Sequence, residues 1–375
     1  MKYEIVSAFG SGNVRLYKDV EMTLRDGVTL RANLTRPDDE AKYPVLLLRL
    51  PYGKDLFMQN DKGQLNPYRM AEAGYNVVVQ DCRGFGRSDG EPAVDGSNDR
   101  EDGYDAVEWA AEQPWSDGAV GTFGLSFFGF VQIAAASRRP PHLRTACPFM
   151  CGTQCPITTN TGGSFAPYHL QWLYNEALGQ LAKMEIDERE REHIRAEIEK
   201  NRPTLMEQCR TCFPLTGMPA VNIAGFPHVH EFVEAIGLMD DPEYWRRSGI
   251  PYDFSEMRVP MLHLTGWNDT ARDRTIQNYL LAGENGGSEL MRRNQRLIVG
   301  PWRHGELMSA TVGDIDYGPG ASGEAFGVMR QMLAWFDFWL KGRLDALEKM
   351  PAVSYFTLGE NAWHSADAWP PQNAR

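Results

Sequence analysis

The segment Gly121-Thr-Phe-Gly124-Leu-Ser126-Phe-Phe128-Gly129 constrains the fold more than any other stretch of this sequence. It reads as a short strand, a sharp turn carrying a serine, and a helix running from Phe127 to Ala136. Glycines on both sides let the backbone turn tightly and let the helix pass close to the strand. A serine on such a turn projects its hydroxyl above a sheet, where it can attack a carbonyl carbon. The spacing is G-x-S-x-x-G rather than the stricter G-x-S-x-G. Serines flanked by glycine are common, so the segment gains its meaning only from the rest of the chain.

That surrounding pattern alternates strands with helices. Val20 to Leu24 and Val28 to Leu34 flank Arg25-Asp26-Gly27 and predict a hairpin around a D-G turn. Val45 to Leu50 and Tyr75 to Gln80 are continuous apolar runs, as in strands covered on both faces. Tyr104 to Gln113 has helical spacing, and Val120 to Phe123 leads into Ser126. The fold class expected is α/β, a doubly wound and mostly parallel sheet. Residues 165 to 240 break the pattern with helical stretches, Leu170 to Met184 and Glu188 to Lys200, and read as a helical insertion over the sheet. The alternation resumes with the strand Met261 to Thr265, the helix Arg272 to Leu281 and the strand Arg296 to Val299. A long helix, Glu324 to Leu340, follows, its aromatics spaced for a core. The expected organisation is a sheet core over 1–150 and 246–348, a helical cap over 151–245, and an appended strand within 349–375.

A net charge of -12 without any basic run argues against a nucleic-acid partner. The N-terminus lacks an apolar signal core, and no span approaches the length of a membrane helix. Six cysteines in 375 residues are no disulfide framework and fit a reducing, cytoplasmic setting. Cys209-Arg-Thr-Cys212 forms a C-x-x-C, and Cys147, Cys151 and Cys155 recur every fourth residue; with Cys82, these read as reduced, buried or half-buried thiols.

A serine nucleophile needs a base, and the base needs an orienting carboxylate. His304 lies just past the strand Leu297 to Val299, in Gly300-Pro-Trp302-Arg-His304-Gly305. Asp269 lies just past Met261 to Thr265, in Gly266-Trp267-Asn-Asp269. Both sit beyond carboxyl ends of predicted strands, where ligand-facing residues belong, and the order Ser, Asp, His is that of doubly wound hydrolases. Asp314 and Asp316 compete for the carboxylate role but follow His304 in the chain. His263 falls inside an apolar strand and reads as a core residue. His142, His169, His193, His228, His230 and His364 have no carboxylate partner assignable from sequence. For the oxyanion, Phe127 offers a backbone N–H at a helix start. The loop Leu50-Pro-Tyr52-Gly-Lys54 offers either a tyrosine hydroxyl or simply a packed aromatic.

Taken in order, these segments resemble the cocaine esterase and X-Pro dipeptidyl peptidase superfamily of α/β-hydrolases, also called CocE/NonD hydrolases. The resemblance is carried by Arg25-Asp-Gly-Val28, Pro51-Tyr-Gly-Lys54, Asp81-Cys-Arg-Gly84 through Ser88-Asp-Gly90, and Gln113-Pro-Trp-Ser-Asp-Gly118. It continues through Gly124 to Gly129, Gly266 to Asp269 and Gly300 to His304. It implies Ser126 as nucleophile, His304 and Asp269 as its relay, and an oxyanion hole from the Tyr52 hydroxyl and the Phe127 N–H. Such elbows usually have tyrosine after the serine, where this chain has Phe127. Trp267 and Trp302 are expected at the mouth of an acyl pocket. A homodimer is implied, and so is a C-terminal jelly-roll domain, whose first strand resembles Pro351 to Asn361 with Trp363; its remainder is expected on another chain or missing from this one. The ester hydrolases of α-amino acids carry acidic residues for the substrate ammonium where this chain has Ala271 and Arg272.

The activity expected is hydrolysis of small carboxylic esters through an acyl-enzyme, needing neither metal nor organic cofactor. Amide, acylase or X-Pro dipeptidyl-peptidase chemistry is the alternative within the class. A catalytically inactive scaffold is the alternative outside it. A dinucleotide-binding enzyme is disfavoured, because Gly84-Phe-Gly86 lacks the third glycine of the phosphate-binding turn.

Overall fold

The computed structural model describes residues 3–7, 13–59, 65–92, 98–152, 167–227, 229–231, 233 and 253–372. The chain divides into two compact units, Met1–Pro92 with Asn98–Thr153 and Tyr252–Arg375, and Ala93–Ser97 with Gln154–Pro251. Cys155 and His228 lie outside the described residues.

The first unit is built on an eleven-stranded sheet. In chain order its strands are β1 (Glu4–Ser7), β2 (Asn13–Thr23), β3 (Thr29–Pro37), β4 (Tyr43–Leu50), β5 (Asn76–Asp81), β6 (Ser116–Leu125), β7 (Leu143–Phe149), β8 (Leu262–Asn268) and β9 (Arg296–Arg303). A separate small hairpin, β10 (Thr311–Val312) and β11 (Ile315–Asp316), precedes β12 (Val353–Thr357) and β13 (Ala362–Ala366). The spatial order is β1-β2-β3-β5-β4-β6-β7-β8-β9-β12-β13. β5, β4, β6, β7, β8, β9 and β12 run parallel, and the ends β1-β2-β3-β5 and β12-β13 are antiparallel. This is the α/β-hydrolase arrangement, a mixed and mostly parallel sheet.

The centre follows from residue type. Val45 to Leu48 and Leu50 in β4 and Val77 to Val79 in β5 are buried, because helices cover both faces of the sheet. Each such aliphatic side chain contributes roughly 2 kcal/mol by leaving water. Arg49, in the same run, is also buried and is offset by Gln80 Oε1 at 3.1 Å and Asp99 Oδ1 at 3.3 Å. The helix Val328–Lys341 packs Val328, Met332, Trp335, Phe336 and Leu340 inward, and Trp335 Nε1 donates to Thr145 Oγ1. The single helix expected over 324–340 is two. Gly327, at φ 84, ends the short turn Gly323–Phe326 and begins the next helix, since left-handed backbone cannot continue a helix.

The tail also departs from expectation. The strand foreseen near Pro351 to Gly359 is β12, but it is joined by β13 and pairs in parallel with β9, Val353 opposite Leu297. The described tail is therefore a hairpin extending the core sheet, and no closed jelly roll is seen among the described residues.

The second unit contains the helices Tyr168–Leu181, Glu188–Asn201 and Leu205–Thr211. Asp187 caps the second by accepting from the Glu190 N–H at 2.8 Å, and Arg191 returns to the Leu181 and Met184 carbonyls at the end of the first. Leu173, Tyr174, Ala177, Ile194, Ile198, Leu205 and Cys209 are buried there. The five described cysteines are free thiols, all buried except the half-buried Cys212. Among the described residues no helix is long and apolar enough to cross a membrane.

Candidate active site

β6 delivers Ser126 into a backbone conformation that side chains rarely adopt, φ 58 and ψ -124. The strain is held by hydrogen bonds on both sides: the Ser126 N–H donates to Phe149 O at 2.9 Å, and its carbonyl accepts from Gly129 and Phe130. The flanking glycines are required by space. A Cβ on Gly124 would lie 2.4 Å from Phe128 Cδ2, and one on Gly129 would lie 2.8 Å from Phe149 O. The helix Phe127–Ser137 therefore starts immediately at the turn, with Phe127 as its first residue.

The structure brings together the residues singled out by order and position. His304 Nε2 is 2.8 Å from Ser126 Oγ, and His304 Nδ1 is 2.7 Å from Asp269 Oδ1. Asp269 has a fully buried side chain, whereas that of His304 is 32% exposed. One end of this array is thus shielded and the other is open to solvent. Asp269 Oδ1 also accepts the Ala271 N–H at 3.0 Å, and Oδ2 accepts the Thr265 hydroxyl at 2.6 Å. The carboxylate is held as an acceptor on both oxygens, so the ring nitrogen facing it is the protonated one. Nε2 is left with its lone pair toward the serine hydroxyl. This is the geometry for transferring a proton from an attacking hydroxyl.

Two supporting residues carried no sequence signal. Thr265 looks like any other buried strand residue until its hydroxyl is seen on Asp269. Met150, at φ 48, accepts the Gly305 N–H on its sulfur at 3.3 Å and so tethers the turn that carries His304. Tyr52 is half-buried, and its ring meets Phe128 edge-on at 5.8 Å, which sets the Pro51–Gly53 loop beside the serine turn.

The two tryptophans expected at a pocket mouth are packed elsewhere. Trp302 is fully buried, donates to Ala321 O at 2.9 Å, and packs edge-on to Phe326 and tilted against Trp363. Trp267 donates to Phe356 O at 2.5 Å and leans on Trp369. Both rings are taken up in joining β8 and β9 to the β12–β13 hairpin. Arg272 pairs with Asp273 at 2.7 Å and donates to Trp267 O at 3.0 Å.

His263 is a core residue, as its strand position indicates. Gln295 donates its amide to Met291 O, so its oxygen accepts from His263 Nε2, at 2.9 Å, and the ring is neutral. Its Nδ1 has no partner among the described residues, and burial pushes the pKa down to about 4. The unfolded chain therefore binds a proton that the folded chain refuses between pH 6.5 and 4. Stability from this group is complete above pH 6.5 and is lost as pH falls toward 4, by on the order of 3 kcal/mol. Urea unfolding at pH 7 and pH 4.5 should show a smaller pH difference for His263→Gln than for the wild type; equal differences would contradict this.

The sheet is that of the α/β-hydrolases, and it brings a serine, a histidine and an aspartate together past the ends of three of its strands. The family model of the X-Pro dipeptidyl-peptidase (S15 family) matches residues 26–306, and the chain belongs to that family. It is 29% identical over 371 residues to cocaine esterase from Rhodococcus sp. (strain MB1 Bresler), covering 96% of this chain and 61% of that protein. The chain thus spans about three-fifths of the length of this curated relative. Among solved structures, a CocE/NonD family hydrolase from Staphylococcus aureus superposes with a TM-score of 0.66 at 21% identity, over 100% of this chain and 60% of that one. An α-amino acid ester hydrolase gives 0.65 at 21% identity, over 97% and 60% of the two chains. At these identities the structural likeness speaks for the fold.

Proposed function

We propose that this protein hydrolyses small carboxylic esters through an acyl-enzyme on Ser126. The observation that carries the reading is the relay at 2.8 and 2.7 Å ending on a serine held at φ 58. Ser126 attacks the ester carbonyl while His304 takes its proton. The oxyanion is received by the Phe127 N–H and the Tyr52 hydroxyl. His304 then protonates the leaving alcohol, and a water activated by the same ring clears the acyl group. Asp269 fixes the ring and balances its charge during both transfers.

Amide cleavage is the second reading, favoured by the family model. Against an amine-recognising site stands Ala271-Arg272, where the resemblance would place acids; Arg272 brings a positive charge instead. The second unit is read as the helical insertion expected over 151–245. The β12–β13 hairpin is read as the opening of a jelly-roll domain, because its sequence carries that part of the resemblance. A homodimer is part of the same reading.

Intact-mass analysis after fluorophosphonate treatment tests the proposal. One adduct is expected, mapping to Ser126, with short-chain p-nitrophenyl esters turned over faster than Xaa-Pro p-nitroanilides. An unlabelled Ser126 would overturn the proposal, and anilide preference would move the protein to the peptidase reading.

A further inference from the structure

Behind the Tyr52 loop lies a buried polar assembly that the relay does not use. β4 and β5 end level with each other, Leu50 opposite Asp81, and each passes directly into a turn. Asp81 is 1% exposed, and its carboxylate joins those turns. Oδ1 accepts the Lys54 N–H at 2.6 Å, and Oδ2 accepts the Arg87 N–H at 2.9 Å. The Asp81 carbonyl adds a third tie by accepting the Ser88 hydroxyl at 2.7 Å.

At the ends of the loop between Leu50 and Lys54, Leu50 O accepts the Cys82 N–H at 2.9 Å and Gly53 O accepts the Phe57 N–H at 3.1 Å. Pro51 has no N–H, and Gly53 stands at φ 86. Its far end is secured by Lys54, whose ammonium is fully buried against Asp19 at 2.6 Å and Asp55 at 3.2 Å. Asn33 donates to Asp55 at 2.8 Å, and Arg87 reaches Asp19 at 2.7 Å. Gly86 shows how closely the carboxylate is enclosed, since a Cβ there would lie 2.2 Å from Asp81 Oδ2.

We infer that Asp81 is a positioning residue for the oxyanion site, holding the Tyr52 hydroxyl over Ser126 through the Lys54 N–H and the 82–88 turn. This rests on the reading of Tyr52 as an oxyanion donor. Asp81 touches neither substrate nor the relay; it acts through Tyr52. A hydroxyl displaced by a fraction of an ångström still packs on Phe128 but meets the tetrahedral oxyanion poorly. The loss therefore falls on kcat and spares KM.

The test is a double-mutant cycle on the intact protein with a p-nitrophenyl ester. Asp81→Asn keeps the shape but presents an NH2 group to one of the two N–H donors. It should lower kcat by about 10- to 100-fold with KM within about 3-fold of wild type. Tyr52→Phe should lower kcat by about 100-fold or more. The double variant should be no slower than Tyr52→Phe alone, because Asp81 has nothing left to position. Ser88→Ala, which removes only the tie to the Asp81 carbonyl, should show a smaller kcat loss with the same non-additivity, and serves if Asp81→Asn does not fold. If Tyr52→Phe retains full kcat, the oxyanion reading fails and takes this inference with it. If Tyr52→Phe is slow but Asp81→Asn multiplies its full factor on top, or leaves kcat untouched, the inference alone is overturned.

Discussion

Ser126→Ala is expected to lower kcat on p-nitrophenyl esters by about 10⁵- to 10⁶-fold, because a unit of nucleophile and base loses nearly all of its effect with either member. The residue's hydroxyl has one role visible in the structure, the 2.8 Å bond to His304 Nε2. Its backbone does the structural work, donating to Phe149 O and accepting from Gly129 and Phe130. Alanine keeps the Cβ, so the cost of φ 58 is the same before and after substitution. Thermal unfolding should therefore place the variant within about 0.5 kcal/mol of wild type. Turnover and melting on one preparation decide the matter. A variant that melts normally and still hydrolyses ester within 10-fold of wild type would remove Ser126 from the mechanism. Background above the uncatalysed rate is expected, since the Phe127 N–H remains at the helix start.

The candidate site was legible because Ser126, Asp269 and His304 each follow the carboxyl end of a strand. Val45 to Leu50 and Tyr75 to Gln80 could hardly be anything but buried strands, and the Ser, Asp, His order then pointed to Asp269 and His304 as candidates. The unreadable parts depend on long-range packing. β7, Leu-Arg-Thr-Ala-Cys-Pro-Phe149, sits in the middle of the sheet although Pro148 argues against a central strand. The structure shows how it is tolerated: Ala146 and Met150 donate toward the β8 side, to Pro260 and Leu264, and Pro148 falls midway between them, where a ladder bond is simply missing. Thr265 and Met150 gained roles only from what the fold set opposite them. Trp267 and Trp302 were misplaced for a related reason. An aromatic just past a strand end can face a ligand or a neighbouring strand, and only the β12–β13 hairpin reveals that these two face the latter.

The carboxylate offers the sharper prediction, because its surroundings distinguish two substitutions that remove the same charge. Asp269→Ala should lower kcat by about 10⁴-fold, leaving His304 without a partner on Nδ1 and free to take the unproductive tautomer. Asp269→Asn should be milder. The oxygen that faces His304 also faces the Ala271 N–H, so an amide oxygen is strongly preferred there. The amide NH2 then points at the Thr265 hydroxyl, which now donates to the carboxylate but can rotate to accept. The imidazole keeps its productive tautomer and loses only the balancing charge, a loss of about 10²- to 10³-fold for a charge-assisted bond in a dry site. Thr265→Val is the lever that tests this account. It deprives the NH2 of its acceptor, so the pair Asp269→Asn with Thr265→Val should fall to the level of Asp269→Ala. In the Asp269 background Thr265→Val should cost far less, because the carboxylate still has two donors on Oδ1. Equal rates for the alanine and asparagine variants would mean that the amide has turned its NH2 toward His304, and that the Ala271 N–H does not govern the orientation.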